Sequence, residues 1–128
     1  MMLLDTCVLL WLAADTTAIS ARATELIRST PEGLFVSAIS AFEVGQKAAA
    51  GKLSLPRPVD AWFAAMVQWH GLHEIPVSGV IAARATLLPA IHRDPFDRLL
   101  IATAQEHRLQ LLTPDATIAK YPNLDTLW

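Results

Sequence analysis

Four carboxylates recur in one kind of place along this sequence. Asp5 follows the apolar run Met1 to Leu4, and Glu43 lies shortly after "LFVS" (34–37). Asp97 closes "DPFD" (94–97), and Asp115 follows "LQLLT" (109–113). If these acids meet in one pocket they repel, by about 3 kcal/mol for two charges about 5 Å apart at an effective dielectric near 20. Several such pairs rival the ~5–15 kcal/mol that holds a domain together. The group must then take up protons, with raised pKa values, or surround a cation. Oxygen ligands, one cysteine and no histidine pair at metal-ligand spacing suit Mg²⁺ or Mn²⁺.

Each acid except Asp5 also has a local role open to it. Ser40-x-x-Glu43 reads as a capping box, in which the Glu side chain serves its own helix start. Asp94 before Pro95 reads as an N-cap followed by proline at the first helical position. Asp97 then lies in the first turn, where the helix dipole favours negative charge. Asp115 after Thr-Pro reads as the cap of a short helix. Asp5 has no cap to make, and a charge in an apolar run is expensive without a partner.

The elements that must position these residues alternate. Apolar runs at Met1–Leu4 and 34–37 predict short strands, "LHEIPV" (72–77) and "LQLLT" (109–113) predict a third and a fourth, and "LDTLW" (124–128) a fifth. Between them, helical spacing covers Thr6 to Ala13 and a stretch from Ser20 onward. Further helices are expected from Ser40 to near Gly51, from an Asp60 cap to Gly71, from Ser78 to before Pro89, and from Pro95 to about Arg108. Short strands that are apolar throughout, alternating with helices, predict an α/β fold on a parallel sheet. In such a sheet, strand ends and the following helix starts share one edge, so all four acids would gather there.

With 128 residues, 53% of them hydrophobic, the chain fits one domain, 1–128, with a sizeable core. The net charge of −2, with both signs scattered, lacks the basic footprint of a nucleic-acid binder. Cys7 is expected to be a small buried hydrophobe, and a lone cysteine excludes an internal disulfide. Asp5 interrupts the apolar start, no basic leader precedes it, and Thr6–Ala14 is too short to span a membrane. The expectation is a soluble, cytoplasmic protein. Of His70, His73, His92 and His107, only His92 lies near an acid motif, and a surface or loop role is expected for it.

Four stretches, "LLDTCVLLW" (3–11), "SAISAFEVGQKAAAGKL" (37–53), "HRDPFDRLLIATA" (92–104) and "LLTPDATIAKYP" (111–122), carry a resemblance. In this order and spacing, the chain resembles the PIN-domain ribonucleases, and within them the VapC-type toxins of toxin–antitoxin pairs. The resemblance implies a PIN-like fold with a five-stranded parallel sheet flanked by helices, and Mg²⁺- or Mn²⁺-dependent cleavage of RNA, tRNA or ribosomal RNA. It implies Asp5, Glu43, Asp97 and Asp115 as the metal-holding and catalytic acids. Asp94 is left as a cap, a supporting group or a further ligand, and Thr6 and Thr113 as hydroxyls that orient carboxylates or water. It further implies a homodimer, and a cognate antitoxin laid along an apolar groove. Trp11, Trp62, Phe63 and Trp69 are expected mostly in the core, with some lining such a surface. Lys47, Lys52, Arg84, Arg93 and Arg98 are the candidates for phosphate contacts.

Two rivals with the same sheet type fit poorly. A phosphoacceptor domain needs paired acids after the first strand, and an aspartyl-phosphate phosphatase needs a second Asp where Cys7 stands. A PIN-like module without catalysis, binding only metal or a partner, is the closer alternative.

Overall fold

Runs of three or four residues that are apolar on both faces become strands only where both faces are covered. The computed structural model describes residues 1–128. It contains β1 (Met2–Leu4), β2 (Leu34–Ser37), β3 (His73–Ile75), β4 (Gln110–Leu112) and β5 (Thr126–Leu127). They form one sheet in the order β3-β2-β1-β4-β5, with every neighbouring pair parallel. Six helices connect and cover it: α1 (Thr6–Ala14), α2 (Ala21–Ser29), α3 (Ala38–Ala49), α4 (Val59–Trp69), α5 (Gly79–Leu87) and α6 (Pro95–His107).

Alternation along β1 divides the core in two. Met2 and Leu4 pack with Val8, Val36, Val44 and Trp62 on one face. Leu3 packs with Ile81, Leu100, Ile101, Leu111 and Ile118 on the other. Burying each such side chain contributes about 1.5–3 kcal/mol, so the sheet is anchored from both sides. No helix is long and apolar enough to cross a membrane.

Two features of this topology position the site. First, β1 continues to β2 and β3 on one side and meets β4 and β5 on the other, so the order reverses beside β1. Second, Leu4 pairs with Leu112. The residues just past those strand ends, Asp5 and Thr113, therefore stand side by side at the C-terminal edge, 108 positions apart in sequence.

The expected start of α3 at Ser40 is corrected. β2 runs into the helix with no loop, so Ser37 is the N-cap and its Oγ accepts from the Ile39 N–H at 3.1 Å. Ser40 is buried inside the first turn, with its Oγ 2.8 Å from Thr6 Oγ1. No capping box forms, and Glu43 is free for other work. Likewise α4 starts at Val59 after Pro58, which leaves Asp60 in the first turn instead of at the cap. Trp69, expected in the core, is 85% exposed at the end of α4, whereas Trp62 and Phe63 are buried. Trp11 is half-buried against Trp128, with ring centroids 5.8 Å apart. Cys7 is half-buried too, for it faces the acidic cavity at the sheet edge.

Candidate active site

That cavity, of about 390 Å³, is lined by Asp5, Cys7, Glu43, Lys47, Asp94, Asp97, Pro114 and Asp115. Five carboxylates from four separate stretches of sequence thus share one pocket. Asp5 arrives at the end of β1, Glu43 from the first turns of α3, Asp94 and Asp97 from the start of α6, and Asp115 from the turn after β4.

Asp5 is only 6% exposed, and it is the N-cap of α1 without making a side-chain cap bond. What holds it is Thr113, whose hydroxyl donates to Asp5 Oδ2 at 2.6 Å. The same hydroxyl accepts from the Asp115 N–H at 3.1 Å, linking two acids through one side chain. Burial still raises the Asp5 pKa; the Thr113 bond opposes this and the neighbouring Glu43 charge adds to it. The Asp97 pKa is pushed up to about 7, by burial first and then by the charges of Asp5 and Asp94. Asp115 goes the other way. Burial raises it, but the amides of Thr117 and Ile118, which donate to Oδ1 at 2.8 and 3.3 Å, and His92 hold it low.

Glu43 is 7% exposed and half satisfied. Its Oε2 accepts from Lys47 Nζ at 3.0 Å, one helical turn on, whereas its buried Oε1 has no partner. An orphaned buried acceptor costs about 1–3 kcal/mol, more when charged. Burial lowers the Lys47 pKa, and the bond and charge of Glu43 outweigh it and raise it.

Asp94 does cap α6, accepting at Oδ1 from the Phe96 N–H at 2.9 Å, while still lining the cavity. The Thr6 hydroxyl pairs with Ser40 instead of a carboxylate, and it is the Thr6 backbone amide that helps hold the Asp5 pKa down. His92 is not a bystander in a loop, for its Nε2 lies 2.9 Å from Asp97 Oδ2 and 3.4 Å from Asp115 Oδ2. Tyr121, unremarked in the sequence, holds the His92 backbone through its hydroxyl at 2.7 Å. No local signal announces that contact across 29 positions.

Residues 2–124 match the PIN domain family. The chain belongs to that family. Among its relatives, Ribonuclease VapC22 of Mycobacterium tuberculosis (strain ATCC 25618 / H37Rv) is 33% identical over 129 residues, covering 98% of this chain and 97% of that protein. A toxin–antitoxin complex from Klebsiella pneumoniae has a chain with TM-score 0.68 and 24% identity, with 100% of this chain and 97% of that one covered. FitAcB from Neisseria gonorrhoeae gives TM-score 0.72 and 20% identity, with 100% and 97% covered. At these identities the two solved structures speak to the fold alone.

The residues of this PIN domain fit a hard divalent cation. The donor set at the mouth of the pocket is oxygen-rich, the acids repel without a positive charge among them, and Glu43 Oε1 has an acceptor to spare. Side-chain ligand atoms of Asp97, Asp115 and His92 also lie within 4.8 Å of one another.

Proposed function

We propose that this PIN domain, acting as one unit over 1–128, is a metal-dependent endoribonuclease and the toxin of a type II toxin–antitoxin pair in the cytoplasm. The observation that carries the reading is the convergence of Asp5, Glu43, Asp97 and Asp115 on one cavity at the point where strand order reverses. The full-length relation to a protein named a ribonuclease supports RNA as the polymer cut.

Asp5, Glu43 and Asp97 would hold Mg²⁺ or Mn²⁺, with Asp115 completing the set. The bound cation supplies Lewis-acid activation of water and offsets charge developing on the attacked phosphate. Thr113 fixes the Asp5 carboxylate, and Asp94 fixes the start of the helix that carries Asp97. Lys47 and the exposed Lys52 line a groove of about 600 Å³ that shares Glu43 and Asp94 with the acidic cavity, where Lys52 meets RNA phosphates and Lys47, bonded to Glu43, contributes in part. Arg84 is committed to Glu106 at 3.0 Å, and Arg98 to main-chain carbonyls, so neither serves that role.

A cognate antitoxin is the proposed protein partner. The likeness in fold to a chain of the Klebsiella pneumoniae toxin–antitoxin complex supports it, as does an apolar groove of about 380 Å³ beside exposed Trp69, lined by Leu12, Trp62 and Met66. A homodimer would cover Phe42, Val80 and Leu87, which are 56%, 52% and 81% exposed.

The test is cleavage of total tRNA and ribosomal RNA by partner-free protein with Mg²⁺, Mn²⁺ or EDTA, beside Asp5→Asn and Asp97→Asn. Discrete products that need metal and vanish in both variants are expected. Silence on every RNA, with metal still raising the melting temperature, would instead support a catalytically inactive metal- or partner-binding module.

A further inference from the structure

We infer that His92 is a positioning residue, a hydrogen-bond donor that sets the Asp115 carboxylate beside Asp97 for the cation and is not itself a metal ligand. The inference rests on the metal-site reading above, and it follows from the tautomer of the ring. The Asp94 backbone N–H points at His92 Nδ1 at 3.2 Å. An amide N–H can only donate, so Nδ1 accepts and carries no hydrogen. The ring hydrogen is therefore on Nε2, the atom 2.9 Å from Asp97 Oδ2 and 3.4 Å from Asp115 Oδ2. Nε2 bound to a cation would have to give up that hydrogen. Nδ1 would then have to carry it against the Asp94 amide, two hydrogens facing each other.

The backbone around His92 is fixed to keep the ring in this pose. Its N–H donates to Tyr121 Oη at 2.7 Å, and its carbonyl accepts from Arg98 Nη1 at 3.2 Å. Arg98 also donates to the carbonyls of Ala85, Leu88 and Pro89, tying the whole segment before α6 to the end of α5. The Nε2–H thus donates to the acid after β4 at 3.4 Å while the ring stands 2.9 Å from the acid on α6. Asp115 Oδ1 is occupied by turn amides, so its Oδ2 is the oxygen His92 sets. Donors behind metal-holding side chains change metal affinity by about 10–100-fold.

The test uses the metal alone, without RNA. Calorimetric titration with Mg²⁺ and with Mn²⁺ compares wild type, His92→Ala and His92→Gln. Glutamine places an N–H where Nε2–H stands but has no imidazole nitrogen. The expected result is a loss of about 10-fold for both cations in His92→Ala, with their ratio unchanged, and recovery to within about threefold in His92→Gln. Nitrogen NMR of the wild-type ring should find hydrogen on Nε2 before and after Mg²⁺ is added, a readout independent of any variant's folding. Loss of Mn²⁺ affinity with Mg²⁺ spared, failure of glutamine to rescue, or an Nε2 stripped of its hydrogen by metal would each overturn the inference. So would unaltered binding in His92→Ala. A wild type that binds neither cation would overturn the metal-site reading as well, which separates the two failures.

Discussion

At the scale of the residue, the site is a repulsion kept in place by the rest of the fold. Asp97→Asn removes one charge from the cluster and leaves the shape. It should cut RNA cleavage by at least ~100-fold while stabilising the metal-free protein at pH 8 by about 1 kcal/mol, a rise in melting temperature of about 3–5 °C. A calorimetric scan beside the cleavage assay checks both, and an unchanged or lower melting temperature would mean that the acids are not in conflict. The same conflict fixes a pH dependence. A carboxyl whose folded pKa is raised, from 3.8 to about 7 for Asp97, keeps a proton that the unfolded chain releases. Its contribution to stability is full below about pH 4 and is lost as pH climbs through 7; Asp5 shifts in the same direction. Asp115, shifted down, acts only in more acid solution, where its contribution is lost as pH falls. If Asp97 holds Mg²⁺ as proposed, the cation must displace its proton, and Mg²⁺ affinity should rise from pH 5.5 to 8. At 100 times its Kd at pH 8, Mg²⁺ should add about 2.7 kcal/mol, and the same Mg²⁺ at pH 5.5 much less. Thermal shifts at the two pH values, with and without EDTA, decide this.

At the scale of the element, one side chain on α6 spans the segment between α5 and α6, with Tyr121 holding it at His92. The Arg98 guanidinium donates to four carbonyls, those of Ala85, Leu88, Pro89 and His92. Arg98→Met should cost about 2–3 kcal/mol in urea unfolding, because several carbonyls lose a charged donor at once. Arg98→Lys should recover less than half, since an ammonium cannot reproduce the planar fork. A loss under about 0.5 kcal/mol for Arg98→Met would mean that water replaces the guanidinium freely. Nothing in "DPFDRLL" announces this use of Arg98, because its acceptors are backbone atoms whose positions only the fold supplies. The elements themselves were more legible. Strands apolar throughout and helices opened by Ser78 or by Asp94-Pro95 carry their reasons locally, and they lie where the sequence predicts them. The start of α3 misled because Ser40-x-x-Glu43 has the form of a capping box, while the true cap, Ser37, is the last residue of a strand. The acids were legible as a set, since Asp5, Glu43 and Asp115 follow strands in a parallel fold and Asp97 opens a helix behind the Asp94-Pro95 signal. Their partners were legible in part. Thr113, expected to orient a carboxylate, does so through the β1–β4 register, and Lys47 meets Glu43 at the i,i+4 spacing of one helix. Only His92 depends on packing that no local signal announces.

At the scale of the whole molecule, a net charge of −2 argues against a nucleic-acid binder, yet the chain is a full-length relative of a ribonuclease. The two facts agree if affinity for RNA resides in the cation and a few local lysines instead of a basic face. Polyanion binding that releases few counterions depends weakly on salt, with a logarithmic slope of about −0.7 per phosphate neutralised on a single strand. Lys47 is half committed to Glu43, so Lys52 and one or two other contacts set the number. Binding of a short single-stranded RNA to the Asp97→Asn variant, followed by anisotropy against KCl at fixed Mg²⁺, should give a slope shallower than about −2. Lys52→Ala should make it shallower by about 0.7, whereas Arg84→Ala, whose charge is spent on Glu106, should leave it unchanged. A steep slope insensitive to Lys52 would place the RNA on another face. The acids at the sheet edge would then cut a strand delivered by contacts outside the groove beside α3.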